Sequence, residues 1–422
     1  MKKIVILIIL VLSNTVWSHG SVRTISEDKD FIEEINFPRT AYHHTLVSDL
    51  HTHSVFSDGH VWPNIRVEEA LRNGLDVLAI TEHLEYQPHI AQIPNKDRNA
   101  AYLEASRSAN KSNLIVLSGS EITRSMPPGH MNAIFLKDSN KLLNLDKKKE
   151  EEAKRLIDEE SYGLNLKEQD RPMAEHYALA SIWPVEEAVL EANNQGGFVF
   201  WNHPMWTSQA IDGVARLSDV HKIFIEKNQL HGIEIVNEDT FSEEALKIAL
   251  DNNLTIIGTS DVHNLIEWDY SARKGEHRPV TLIFAKARTK KSIKEALFEG
   301  RTVVWFKEML IGKENNLLPL LESVISMESS GYQEGTQVDI KQDTPILNVI
   351  IKNNSSAKLQ LQNQSAFTFI KNTNLIELPS NSEIKLQIKT IKKLENLQLD
   401  FLVLNALITP DKNPLISLMA KI

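Results

Sequence analysis

The chain has no cysteine, which excludes disulfides, thiolate chemistry, iron–sulfur sites and an N-terminus anchored through a lipidated cysteine. Basic runs are missing too. With 46 Lys+Arg against 56 Asp+Glu the formal charge is -10, and nothing favours wrapping a long nucleic acid. A small anionic substrate is compatible with that charge, because bound metal reverses the local sign of a site. The one long hydrophobic stretch is N-terminal, where Lys2 and Lys3 precede "IVILIILVL" and the polar "SNTVWSHG". That order predicts a secretory signal over residues 1–20, with an uncleaved anchor as the alternative. The expected product is periplasmic or secreted, with no stable membrane span after cleavage.

What is present divides in two. From about residue 40 to 305, short apolar runs alternate with helical patterns: "TLVSDL" (45–50), "LDVLAIT" (75–81), "LIVLSGS" (114–120), "MNAIFL" (131–136), "GGFVFWN" (196–202), "GIEIVN" (232–237), "LTIIGTS" (254–260) and "VTLIFAK" (280–286). Buried strands of a β/α protein read as nearly continuous apolar runs, and this number of units predicts a closed or nearly closed barrel. The charged stretch 147–160 interrupts the rhythm and suits a solvated helix, either an excursion over the barrel mouth or a plain surface element. Residues 318–422 carry no histidine and read as short strands between polar turns, which predicts a small all-β sandwich without catalytic residues.

The chemistry-bearing residues fall at one topological position. "SDLHTHSVFSDG" supplies His51, His53 and Asp58; later strands are followed by His83, Glu121, His130, His203, Asp261 and His263. In a β/α barrel the carboxyl ends of the strands converge on one face, where active sites are built. A lone histidine after a strand is usually a packing or hydrogen-bonding residue, but six histidines and three carboxylates at the same place predict a metal site. Imidazole and carboxylate without thiolate suit Zn, Mn or Fe. The set is too large for one tetrahedral ion and fits two or three divalent ions sharing a carboxylate. Such centres suit hydrolysis at a phosphoryl group.

"DLHTHSVFSDG", "TEH", "GSE", "GHMN", "NHP" and "SDVH" together resemble the metal-binding motifs of the PHP family, the polymerase and histidinol phosphatase superfamily of metal-dependent phosphoesterases, over roughly residues 40–305. The resemblance implies a distorted (β/α)7-like barrel and hydrolysis of small phosphate mono- or diesters by a metal-bridging hydroxide. It also implies one ion on His51, His53, Glu121 and Asp261, a second sharing Glu121 and adding His130 and His203, and a third on Asp58, His83 and His263. Asp58 stands where some relatives have histidine. Arg124 and Arg278 are the candidates for binding phosphate oxygens, His277 for protonating the leaving group or contacting phosphate, and Glu82 for support behind His83. Each arginine also reads as surface charge, and His277 as a solvent-facing histidine. Trp201 and Trp206, around His203, either stack on a base or sugar or pack under the barrel rim. Two other function classes stay open: an amidohydrolase-type enzyme cleaving a C–N or C–O bond, and a non-catalytic metal-containing surface-binding protein.

Overall fold

The computed structural model describes residues 35–143, 146–159, 171–271, 274–333 and 345–422. The expected signal, 1–20, and residues 160–170 after the charged helix lie outside the described residues. Each of the eight apolar runs forms a strand: β1 (His44–Asp49), β2 (Val77–Ile80), β3 (Ile115–Ile122), β4 (Met131–Ile134), β5 (Phe198–Trp201), β6 (Gly232–Asn237), β8 (Thr255–Thr259) and β9 (Val280–Ala285), with a two-residue β7 (Thr240–Phe241) after β6. Every residue of β2, β5, β6, β8 and β9 is buried, which is why these strands show no polar alternation.

The strands form one curled sheet, a distorted barrel that is not uniformly parallel. Pairing is parallel for β1–β2, β2–β3, β5–β6 and β6–β8. It is antiparallel for β3–β4, β4–β5 and β1–β9. The β3–β4 connection, residues 123–130, is too short for a helical crossover and therefore reverses the chain. The sheet also continues past residue 305 into the hairpin β10 (Thr302–Phe306) and β11 (Met309–Gly312).

The two ends of the curl meet through side chains. Thr281 Oγ1, on β9, donates to Gly258 O at 2.8 Å and accepts from Gly258 N at 2.9 Å. Thr302 Oγ1, on β10, donates to Ile256 O at 2.7 Å. Glycine is required there: a Cβ on Gly258 would lie 2.4 Å from Val304 Cγ1. Helices cover the outside, with local sequence setting their starts. Ser242 accepts from Ala245 N ahead of the helix Glu243–Asp251, and Thr289 accepts from Ser292 N ahead of Lys290–Phe298. The charged stretch forms a helix, Lys147–Glu159, that pairs with a second, Arg171–Ile182, through Ala153, Ala174 and Ala178. No helix among the described residues is long and apolar enough to cross a membrane.

After a helix over Glu314–Val324 the chain builds two four-stranded antiparallel sheets. Here burial alternates along the strands, as in Ile346–Asn353 and Leu415–Lys421, because each sheet buries one face. A short strand from this region, Ala406–Leu407, pairs in parallel with β11. Asn405 reinforces the join: its carbonyl accepts from Leu310 N at 3.0 Å and its Nδ2 donates to Glu308 O at 2.6 Å. One apolar cluster runs from Val47 and Leu78, through Leu317 and Leu321, to Leu386 and Phe401.

Candidate metal centre

Two short pairings beyond the strand ends assemble the site. Thr52 bridges Val262, with His53 N donating to Val262 O and Asp261 N to His51 O, both at 3.1 Å. This sets the His-x-His of β1 against the Asp-x-His of β8. A second bridge joins His83 to Glu121. Arg66, buried in the helix Pro63–Arg72, clamps the first pairing from behind: Nε donates to His53 O at 2.7 Å and a terminal nitrogen to Val262 O at 3.2 Å. Its charge is matched by Glu69 at 2.7 Å. His203 and Asp261 both adopt positive φ, 28° and 50°, an uncommon conformation for such residues that surrounding contacts must hold.

All nine predicted ligands come together. Glu121, fully buried, is the hub: its oxygens lie 3.5 Å from His51 Nε2, 3.7 Å from His53 Nε2, 2.6 Å from His83 Nδ1, 3.1 Å from His130 Nδ1 and 3.4 Å from His203 Nε2. Asp261 Oδ1 lies 3.1 Å from His51 Nε2 and 3.2 Å from His53 Nε2. Asp58 reaches His83 at 3.3 Å and His263 at 3.2 Å. By proximity the donors fall into three groups: His53, Asp58, His83 and His263; His51, His53 and Asp261; His83, Glu121 and His130. This differs from the division implied by resemblance: His53 and His83 each serve two groups, Glu121 enters one group where sharing between two was expected, and His203 joins none of the three.

The donors suit cations. Asp58 Oδ1, Glu121 Oε2 and Asp261 Oδ1 are buried without a hydrogen-bond partner, a costly state for a carboxylate unless a cation occupies the space between them. His51 Nε2 and His53 Nε2 stand 3.0 Å apart, two nitrogens with one shared direction. Their other nitrogens fix the tautomers. His51 Nδ1 donates to Glu234 Oε1 at 2.9 Å. His53 Nδ1 donates to Ser57 Oγ at 3.2 Å, and Ser57 Oγ donates to Glu82 at 2.5 Å. His263 Nδ1 donates to Asp261 O at 2.7 Å. Each ring thus turns its Nε2 to the cluster.

Burial opposes charge on every ring. Neighbouring carboxylates outweigh it for His51, His83 and His203, and lift His263 to about 9. Burial and the charges of His263 and His83 instead push His53 down to about 3. Burial likewise raises Asp58, Glu121 and Asp261, but the surrounding imidazoles overcome it and hold all three low.

Sequence reasoning missed Glu234, a charge inside the buried strand "GIEIVN". Besides His51, it accepts from His203 N at 2.7 Å, Thr259 Oγ1 at 2.7 Å and Asn237 Nδ2 at 3.0 Å. Arg66 was missed likewise, as a charge on a helix. Glu82 supports a different ring from the one expected: it accepts from Ser54 N, Ser54 Oγ and Ser57 Oγ at 2.5–3.1 Å and so stands behind His53, whereas His83 Nδ1 meets Thr123 Oγ1 at 2.7 Å.

The three expected substrate contacts are engaged elsewhere, and none pairs with any of the nine. Arg278, 2% exposed, bonds Asp49 at 3.1 Å and Asn73 at 2.8 and 3.1 Å. Asp49 in turn accepts from Ser260 N and Oγ, so Arg278 braces the ends of β1 and β8. Arg124 is buried, pairs with Glu85 and donates to Thr123 O and Trp183 O; burial lowers it to about 10. His277 lies between Arg278 O and Lys307 O, both at 2.8 Å, stacked on Trp305. These contacts tie all three side chains to partners within the protein. Trp201 is fully buried and stacks on His221 at 3.9 Å, whereas Trp206 is 46% exposed beside His130 and His203.

Residues 49–200 match the PHP domain family and residues 328–419 an Ig-like domain family. A solved two-domain protein from Bacteroides vulgatus, containing a predicted PHP-like metal-dependent phosphoesterase, is 34% identical over 91% of this chain and 97% of its own, with a TM-score of 0.74. A Bifidobacterium adolescentis protein, provisionally named a metal-dependent phosphoesterase, is 22% identical over 60% of this chain and 96% of its own at a TM-score of 0.39. No curated protein matches. Because the Bacteroides relative aligns over nearly all of both chains, and the PHP match begins at the strand carrying the first ligands, this chain belongs to the PHP family of metal-dependent phosphoesterase-like proteins, with an Ig-like domain at its C-terminal end.

Proposed function

We propose that the chain hydrolyses small phosphate mono- or diesters at a centre of two or three divalent ions held by His51, His53, Asp58, His83, Glu121, His130, His203, Asp261 and His263. The observation that carries this reading is the convergence of buried, unpartnered carboxylate oxygens from Asp58, Glu121 and Asp261 on imidazole nitrogens of fixed direction. Ions of the Mn, Zn or Fe class, once bound, supply Lewis acidity to the phosphoryl oxygens and make water nucleophilic near neutral pH. The chain's own residues hold the geometry. Glu234 orients His51 and pins the His203 backbone, the Ser57–Glu82 relay orients His53, and Arg66 and Arg278 keep the ends of β1 and β8 together. No side-chain nucleophile is required.

We place the activity outside the cytoplasm on the signal-like N-terminus alone; intact mass of the exported protein tests this, and retention of residues 1–20 would refute it. The chemistry is tested by metal content and by hydrolysis of bis(p-nitrophenyl) phosphate and p-nitrophenyl phosphate with Mn and Zn supplied in turn. Two or three bound ions with chelator-sensitive turnover are expected. Bound metal with neither ester cleaved would shift the reading to C–N or C–O bonds.

A further inference from the structure

The rim of the centre has an aromatic direction. Trp206 packs edge-on against His203 at 5.2 Å and His130 at 5.7 Å; the line continues from His130 to His83 at 5.8 Å and from His83 to Tyr86 at 5.8 Å. The three imidazoles are ligand candidates, whereas the indole has no lone pair for a cation. At the Tyr86 end a second aromatic layer follows: His176, on the helix Arg171–Ile182, packs on the half-buried Tyr86 at 5.7 Å. The Trp206 end is open, with the ring 46% exposed.

The main chain that carries Trp206 is held in place. Its backbone N–H donates to His203 O at 2.9 Å, and its carbonyl accepts from Gln209 N at 2.8 Å and Ala210 N at 2.7 Å. The same turn therefore carries a ligand candidate and an uncovered indole. Scattered exposed aromatics need no explanation, but one packed against two of the imidazoles presents apolar area beside the candidate ligands.

We infer that Trp206 is the platform for the organic group of the substrate, and that this group is flat and aromatic, an aryl or nucleobase-bearing ester. The inference rests on the phosphoester reading above. Stacking of a base on an aromatic side chain contributes about 1–3 kcal/mol, so removing the indole should weaken aromatic ligands about tenfold or more.

The test uses non-hydrolysable probes on the metal-loaded, full-length protein: phenylphosphonate and methylphosphonate, titrated calorimetrically. Wild type should bind the phenyl compound about tenfold more tightly. Trp206→Ala should bring that ratio close to one while leaving methylphosphonate affinity and metal content unchanged, and Trp206→Phe should retain most of it. Equal affinities in wild type, or equal weakening of both probes in Trp206→Ala, would overturn the platform while leaving the phosphoester reading intact. Failure of metal-loaded wild type to bind either phosphonate would instead overturn the phosphoester reading beneath it.

Discussion

Glu234→Gln is the sharpest probe of how the centre is held. The substitution preserves shape but removes a charge and turns one acceptor oxygen into a donor. Four donors meet this carboxylate: Oε1 takes His51 Nδ1 at 2.9 Å and Thr259 Oγ1 at 2.7 Å, and Oε2 takes His203 N at 2.7 Å and Asn237 Nδ2 at 3.0 Å. Whichever way the amide turns, its NH2 faces two of them. If its oxygen stays toward His51, the His203 backbone loses its anchor at a position of positive φ. If it turns away, His51 loses the acceptor that fixes its tautomer. Two unmade buried hydrogen bonds cost about 1–3 kcal/mol each, and loss of a partner behind a metal ligand typically lowers affinity about 10–100-fold. Urea unfolding of the metal-free protein should show a loss of several kcal/mol, and competition with a chromophoric chelator should show at least about a tenfold weaker ion. Wild-type stability together with wild-type metal affinity would refute the orienting role.

Gly258→Ala drives a methyl into Val304 at the seam and should cost about 1–3 kcal/mol; a melt should show this, and Gly258→Ala with Val304→Ala should recover most of it. No recovery would mean that the seam is not where the strain lies. Arg278→Ala leaves Asp49 buried without its cation and should destabilise by about 3–5 kcal/mol. Unchanged stability with a raised KM would restore the substrate contact expected from sequence. His231 is held neutral, its ring lowered to about 4 by burial, with Nδ1 accepting from Val199 N at 3.0 Å and Nε2 donating to Asn228 O at 3.2 Å. Between its ordinary pKa of about 6.5 and 4 the unfolded chain binds the extra proton. Its stabilisation is therefore complete above about pH 6.5 and lost as pH falls toward 4, and His231→Asn should flatten that part of the stability–pH profile; an unchanged slope would remove His231 as its cause.

The strands were legible because a strand buried on both faces has no polar alternation, and the nine ligand candidates because polar residues after such runs stand out. Strand direction was less so: apolar runs look the same parallel or antiparallel, and only the short connection 123–130 signalled the reversal. The charges of Glu234 and Arg66, inside elements whose neighbours are buried, were available as signals and went unread. The carboxylate and amide partners of Arg278 and Arg124 were not legible for a chemical reason, since a guanidinium that grips phosphate and one that grips carboxylate are the same group. The carboxylate for Arg278, Asp49, lies 229 residues away. Trp201 and Trp206 parted by location: the first ends a buried strand, the second sits on the loop beyond it.

The pairing of Ala406–Leu407 with β11 means that the composition boundary near residue 318 is not a seam along which the protein can be cut. A chain ending there would expose the backbone of Leu310 and Ile311 as an unguarded strand edge, a template for joining other copies. In this arrangement the Ig-like region covers that edge, and moving the PHP half alone into another gene would carry the uncovered edge with it.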